Sequence, residues 1–175
     1  MKPKILVTRK MTDEAENKLA EIFDATFNKE DKPIPYEELI NLANKYDGLI
    51  VSGWDKFDEN FFNKMKGKLK IIATFSVGYD HININSAKEK NIVITNTPDV
   101  LNDAVAEITI FLMLAACRKT YEGVNLVKSD NWKKVKIDFV NFVMGQSMTG
   151  KTLGIIGLGR IGRIVAKRAK GFVMK

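Results

Sequence analysis

The sequence predicts an α/β fold: a doubly wound parallel sheet, then a long apolar helix, then the first strand and helix of a second α/β unit. Three observations predict it. Short apolar runs alternate with helical patches through residues 1–98, thirteen almost wholly apolar residues (Val105 to Cys117) follow a proline-marked break, and a glycine-rich turn near the end separates an apolar run from a basic helical pattern. Strands divided by helices pair in parallel through crossover helices.

Taken in order, Lys4–Thr8 reads as a buried strand, and Thr12 or Asp13 caps a helix carrying Ala15, Leu19 and Ile22. Ala25–Phe27 is the next strand. Pro35 suits the first turn of a helix over Tyr36–Ala43, whose Leu39, Ile40 and Ala43 share one stripe. Asp47–Ser52 is a strand, and Asp58–Met65 a short helix with Phe61, Phe62 and Met65 inward. Leu69–Phe75 is the clearest strand. The loop Ser76–Asp80, a small helix near Ser86–Lys90 and the strand Asn91–Thr95 complete a unit that ends at Pro98.

The next helix, Val100–Lys119, is too apolar for a surface helix and is expected to be buried on most sides, against another domain or another subunit. Thirteen apolar residues with Glu107 inside are too short to cross a bilayer, so no membrane partner is expected. Tyr121–Met148 is mixed, includes Trp132, and is expected to be an irregular connecting arm. The domain organisation that follows is 1–98, then 99–148 (helix and arm), then 149–175.

Composition narrows the function. Among 175 residues, 45% are hydrophobic, which excludes disorder, and 12 Gly with 4 Pro exclude a collagen-like chain. One cysteine, Cys117, excludes a disulfide framework or a cysteine-built zinc site, and one histidine, His81, further limits metal chemistry; no metal is expected. Met1-Lys2-Pro3-Lys4 leads directly into a strand, so a cytoplasmic chain without a signal peptide is expected. The net charge of +7 comes mostly from scattered lysines, with five arginines. The densest runs, Lys64–Lys70 and Lys133–Lys136, carry no interleaved aromatics, so they suit a solvated surface and no nucleic-acid partner is expected.

Near the end stands Thr152-Leu-Gly-Ile-Ile-Gly-Leu-Gly-Arg-Ile-Gly162, a G-x-G-x-x-G at Gly157, Gly159 and Gly162 after an apolar run. The spacing implies a phosphate-cradling turn. Gly157 allows the tight bend, Gly159 leaves room for a pyrophosphate, and Gly162 lets helix and strand pack closely. The amides near Arg160 and Ile161 then face the phosphate from a helix start, with Leu158 inside the same turn. The residue that would separate NAD from NADP falls ~20 positions further on, past Lys175, so both cofactors stay open.

Val77-Gly-Tyr-Asp-His-Ile82, Val93-Ile-Thr-Asn-Thr-Pro-Asp-Val-Leu101, Ala104-Val-Ala-Glu107 and Lys151–Gly162 follow one another in an order and spacing that resemble the D-isomer-specific 2-hydroxyacid dehydrogenases, most of all the glyoxylate/hydroxypyruvate reductases. The resemblance covers essentially the whole chain. It implies a flavodoxin-like substrate domain, a homodimer built on the Val100–Lys119 helix and its arm, and a Rossmann nucleotide domain opening at the glycine turn. It implies NAD(P)-dependent reduction of a small 2-oxo acid to the 2-hydroxy acid. Val77 and Gly78 match the loop whose backbone amides hold the substrate carboxylate, and successive amides on a turn do form an anion-binding nest, with Gly78 tolerating the backbone angles required.

Other positions are read against that resemblance. Asn102 stands where relatives commonly carry Thr. His81 is placed as a variant of Asn beside the carboxylate loop and not as the acid/base, and Asp80 is expected to tie the loop to neighbouring backbone. Cys117 is read as packing. Trp54, after the strand ending at Ser52, either walls the substrate pocket or simply packs.

A six-strand nucleotide domain needs about 140 residues, at roughly two dozen per strand-helix unit, and 24 remain from Thr152 onward. The family's substrate-clamping Arg, acid/base His and partner Glu come from later segments. The expectation is therefore a C-terminally truncated chain with no catalytic residue of its own and no activity by itself. The alternative from another class is a non-catalytic α/β oligomerisation module.

Overall fold

The computed structural model describes residues 1–129 and 144–175; Trp132 and the Lys133–Lys136 run lie outside the described residues. The described chain divides into two compact units, Met1–Pro98 and Asp99–Lys175.

The first unit holds five parallel strands: β1 (Lys4–Val7), β2 (Asp24–Phe27), β3 (Gly48–Val51), β4 (Ile71–Thr74) and β5 (Val93–Thr95). Their order across the sheet is β2-β1-β3-β4-β5. This is the flavodoxin-like order, in which the chain reverses its direction of travel between β1 and β3. The intervening helices are α1 (Asp13–Ile22), α2 (Tyr36–Ala43), α3 (Glu59–Lys64) and α4 (Ile84–Glu89). Three of these four helix starts are capped by a side chain. Thr12, Asp58 and Asn83 accept hydrogen bonds from the amides of Ala15, Phe61 and Ser86, which would otherwise be left unpaired. Pro35, expected inside the first turn of α2, is instead its N-cap residue.

Register explains which face carries the core. Leu6, Leu49, Ile72 and Ile94 are paired across β1, β3, β4 and β5. This row faces Leu39, Ile40 and Ala43 of α2, Phe61 and Phe62 of α3 and Ala87 of α4 in one continuous cluster. Phe57, Phe61 and Phe62 stack edge to face with centroids 4.8 and 5.3 Å apart, the favoured geometry for aromatic pairs. The neighbouring row, on the other face, is Ile5, Gly48, Ile71 and Val93. Its exposure rises towards the β5 edge, from 5% at Ile5 to 37% at Ile71 and 56% at Val93. The double winding expected from sequence is therefore well covered on one face and only partly on the other.

The second unit contains α5 (Asn102–Cys117), α6 (Thr120–Lys128) and α7 (Arg160–Ala169), with a 3-10 turn at Lys170–Phe172. Two expectations are corrected here. The start of the arm is not irregular: Thr120–Lys128 is a helix that begins after Lys119 in a left-handed conformation (φ 51°). In helix α5 Ala106 is fully buried, while Ile108, Phe111 and Leu112 are more than half exposed in the single chain. A stripe that broad needs cover from several directions, and within this unit α7 covers one side. Finally, the apolar run before the glycine turn forms no strand. Leu153 N–H donates to the Lys175 carbonyl and Lys175 N–H to the Lys151 carbonyl, but among the described residues no strand lies alongside to build a ladder, and Ile156 is fully exposed.

Two carboxylates are held near the bottom of the accessible pH range. Asp31 is lowered to about 2, chiefly by Arg9, whose guanidinium donates twice at 2.7 and 3.0 Å. Asp58 is also lowered to about 2, first by the Tyr36 hydroxyl and then by Lys56, while it caps α3. A depressed carboxylate stabilises the fold above its ordinary value of 3.8 and loses that contribution as pH falls through about 2. Thermal melting between pH 5 and 2 is therefore expected to show a falling Tm that is flatter in Asp31→Asn and Asp58→Asn. Phe61→Ala, which empties the centre of the aromatic cluster, is expected to cost about 3–5 kcal/mol in urea unfolding followed by far-UV circular dichroism.

Candidate functional site

Open parallel sheets bind ligands beyond the carboxyl ends of their strands, beside the point where the winding reverses. In the first unit that point lies between β1 and β3. Thr8 follows β1, Ser52–Asp55 follows β3, and Ser76–Asp80 follows β4. These loops hold Val77, Gly78 and Trp54.

The β4 loop is built around its carbonyls. The Ser76 carbonyl accepts from Thr97 N–H at 3.0 Å, the Val77 carbonyl from Asn96 Nδ2 at 2.8 Å, and the Gly78 carbonyl from Ser76 Oγ at 2.6 Å. Every peptide in the described chain is trans, so each N–H points opposite to the carbonyl of the same peptide unit. Holding the carbonyls of Ser76, Val77 and Gly78 therefore turns the amides of Val77, Gly78 and Tyr79 away from the groups that hold them. Among the described residues none of these three amides donates to a protein acceptor. Successive free amides on a turn make a concave seat of partial positive charge, suited to a carboxylate.

Two details differ from the sequence expectation. Asp80 makes no hydrogen bond that ties the loop among the described residues; Asn96, Thr97 and Ser76 do so. Gly78 does not have a positive φ. A Cβ built on it would meet only the Asp80 carboxylate, at 3.8 Å, so glycine leaves open space here and does not relieve strain.

The β3 loop is anchored by a buried carboxylate. Asp55, 8% exposed, accepts at Oδ2 from the wholly buried Thr8 hydroxyl at 2.6 Å and from Ser52 N–H at 3.0 Å. The turn carries Trp54 outward to 87% exposure. Trp54 shares a cavity of about 130 Å³ with Arg9, Tyr36, Asp55 and Lys56, and neither Val77 nor Gly78 lines it. Trp54 is thus not core packing, and its loop follows β3, the strand next to β4, whose own loop carries the free amides. His81 is half-buried, its ring nitrogen Nε2 lies 3.0 Å from Thr74 Oγ1, and burial lowers its pKa against the opposing influence of Asp55 and Asp80. A larger cavity of about 540 Å³ runs along the β5 edge and reaches the loop only at Tyr79 and Asn96.

In the second unit, Gly157 has φ of 92°, a conformation that side chains rarely adopt. A Cβ on Gly162 would sit 2.3 Å from the Gly157 carbonyl oxygen, so Gly162 is required by the turn itself more than by the segment before it, where Ile155 lies 3.5 Å away. Gly159 is the N-cap of α7, provides no side-chain cap, and has nothing within 4 Å of a built Cβ. The first backbone bond of α7 runs from Arg163 N–H to the Gly159 carbonyl at 3.1 Å. The amides of Arg160, Ile161 and Gly162 therefore precede the helical ladder and are available to an anion. The Leu158 carbonyl accepts from Arg163 Nε at 3.2 Å, and Arg160 pairs with Asp99 at 3.1 Å. The turn has the free amides and the unobstructed approach that a pyrophosphate needs.

Cys117 is half-buried at the end of α5, and Asn102 donates to Asp99 at 2.8 Å. Among the described residues no three His, Cys, Asp or Glu side chains gather to hold a metal ion, and no helix is long and apolar enough to cross a membrane.

Comparison with known proteins places the chain among characterised relatives. The model of the D-isomer specific 2-hydroxyacid dehydrogenase catalytic domain matches residues 5–173. A glyoxylate reductase of Pyrococcus horikoshii is 40% identical over 176 residues, covering the whole of this chain and 52% of that protein. An acyclic imino acid reductase solved in complex with NADPH and D-Arg superimposes with a TM-score of 0.85 at 30% identity, over 98% of this chain and 54% of its own. A glyoxylate reductase from Paecilomyes thermophila gives 0.81 at 28% identity, over 99% and 54%. The chain spans about half the length of the curated relatives it matches.

Because the Gly157 carbonyl leaves no room for a methyl group at position 162, Gly162→Ala is expected to break the turn. Amide exchange at Arg163, whose N–H donates to the Gly159 carbonyl, measures this; a rate at least about tenfold faster than in the unchanged chain is expected, the size of a penalty of about 1.4 kcal/mol.

Proposed function

The chain belongs to the D-isomer-specific 2-hydroxyacid dehydrogenase family, and we propose that it carries the carboxylate seat and the opening of the nucleotide site of an NAD(P)-dependent reductase of small 2-oxo acids, glyoxylate or hydroxypyruvate. The single observation that carries this reading is the row of unpartnered amides at Val77, Gly78 and Tyr79, beyond the carboxyl end of β4. The substrate carboxylate sits on these amides, as anions do on backbone nests. Trp54, held outward by the Asp55 turn, walls the pocket and limits the size of the group on the 2-oxo carbon.

Gly157, Leu158, Gly159, Arg160, Ile161 and Gly162 hold the pyrophosphate of NAD or NADP, with the N-terminal amides of α7 facing its charge. The bound nicotinamide supplies the hydride. This chain's part is to seat the carboxylate and to place the nucleotide. Reduction also needs a proton donor. The one histidine of the sequence is tied to Thr74, with its neutral form favoured by burial, and so it does not serve. We therefore take the 175 residues by themselves to be inactive. The exposed Ile108, Phe111 and Leu112 of α5 support a homodimer through this helix.

Steady-state assay of the purified 175-residue chain with glyoxylate and either NADH or NADPH tests the catalytic part. No turnover above background is expected; turnover comparable to that of a full-length relative overturns the assignment of roles. Light scattering tests the association, with a dimer expected for the unchanged chain and a monomer for Phe111→Glu.

A further inference from the structure

The carboxylate loop is joined to the chain's only histidine by three hydrogen bonds whose direction follows from counting protons. Ser76 Oγ lies 2.6 Å from the Gly78 carbonyl, which can only accept, so the Ser76 hydroxyl donates there. That hydroxyl has one proton. Its 2.6 Å bond with Thr74 Oγ1 must then be donated by Thr74. The Thr74 hydroxyl also has one proton, now committed, so the 3.0 Å bond between Thr74 Oγ1 and His81 Nε2 must be donated by the imidazole.

From this we infer that His81, protonated at Nε2, heads a one-way relay through Thr74 and Ser76 that fixes the Gly78 carbonyl and so aims the Tyr79 amide at the substrate carboxylate. His81 is a positioning residue. It touches no reacting atom and transfers no proton. The inference deepens the carboxylate reading above and rests on it for the identity of the ligand. The remaining connections of the segment fit a fixed donor. His81 is held from behind, because its carbonyl accepts from Phe57 N–H at 2.8 Å and the Phe57 carbonyl accepts from Asn83 N–H at 2.7 Å. Phe57 is itself wholly buried. Thr74 is 2% exposed, so water does not compete for its hydroxyl. The relay therefore runs from a rigid part of the core to a loop that must hold its shape without a ladder.

Long-range ¹H–¹⁵N spectra of the 175-residue chain labelled at histidine read the tautomer directly. A proton on Nε2 and a bare Nδ1 are expected; a bare Nε2 overturns the relay whatever else is found. Titration with oxalate, a carboxylate that cannot be reduced, then reads the loop through the amide resonances of Val77, Gly78 and Tyr79. Oxalate is expected to move all three in the unchanged chain. It is expected to bind about fivefold more weakly to Ser76→Ala, the scale of one lost hydrogen bond, with near-native affinity restored in Ser76→Thr, which keeps a hydroxyl. Equal affinity in the unchanged chain and Ser76→Ala overturns the positioning role. If oxalate moves none of the three amides although His81 is protonated at Nε2, the carboxylate reading falls, and with it the use assigned to the relay.

Discussion

Three backbone carbonyls are each taken by a donor: that of Ser76 by Thr97 N–H, that of Val77 by the Asn96 side chain, and that of Gly78 by the loop's own Ser76 hydroxyl. The carboxylate seat proposed for this chain depends on that. A peptide group has two ends, and a trans bond makes the fate of one end decide the direction of the other. A loop whose carbonyls are satisfied inward has amides with no partner, and unpartnered amides are costly unless solvent or an anion meets them. The loop is thus shaped as a receptor by its own hydrogen bonds before any ligand arrives.

The sheet supplies what such a loop needs. Strand order β2-β1-β3-β4-β5 brings the carboxyl ends of β1, β3 and β4 side by side. The row Leu6, Leu49, Ile72 and Ile94 locks the central strands to the aromatic cluster. Above that cluster the polar groups are arranged in pairs that leave no buried side-chain atom without a partner among the described residues. Thr8 with Asp55 fixes the turn bearing Trp54, and Thr74 with Ser76 and His81 fixes the turn bearing Gly78. Buried polar contacts of this kind stabilise one arrangement strongly because each alternative leaves a donor or acceptor unmet.

Much of the fold was legible in the sequence. The periodic stripes of α2 and α3 named the residues that are buried, and the strands β1 to β5 fell where short apolar runs lie between helical patches. Helix α6 was not legible: Tyr121, Val124 and Val127 are all exposed, so it carries no buried stripe to announce it. The unpaired run before the glycine turn was misread for the opposite reason. Leu153 to Ile156 have strand-like composition, but a strand is a property of two segments, and among the described residues no second strand lies beside them. In the site, motifs named Val77, Gly78 and the glycines. They gave no role to Asn96, Thr97 or Thr8, whose partners lie 19 to 47 positions away and meet them only through the sheet.

The second unit rests on a closer, more local constraint. Gly157 must bend with a positive φ, and Gly162 must lack a side chain to pass its carbonyl, so the turn before α7 is dictated by backbone alone.

Hydrogen exchange at individual backbone amides tests the central claim most directly, because it asks whether the carbonyls are held and the amides free. Phe75, which donates to the Val51 carbonyl, and Thr97, which donates to Ser76, are expected to exchange slowly, while Val77, Gly78 and Tyr79 exchange near the rate of an unprotected chain. Protection at Val77, Gly78 and Tyr79 equal to that at Phe75 would mean that these amides are already spent on the protein, and the carboxylate seat would not exist.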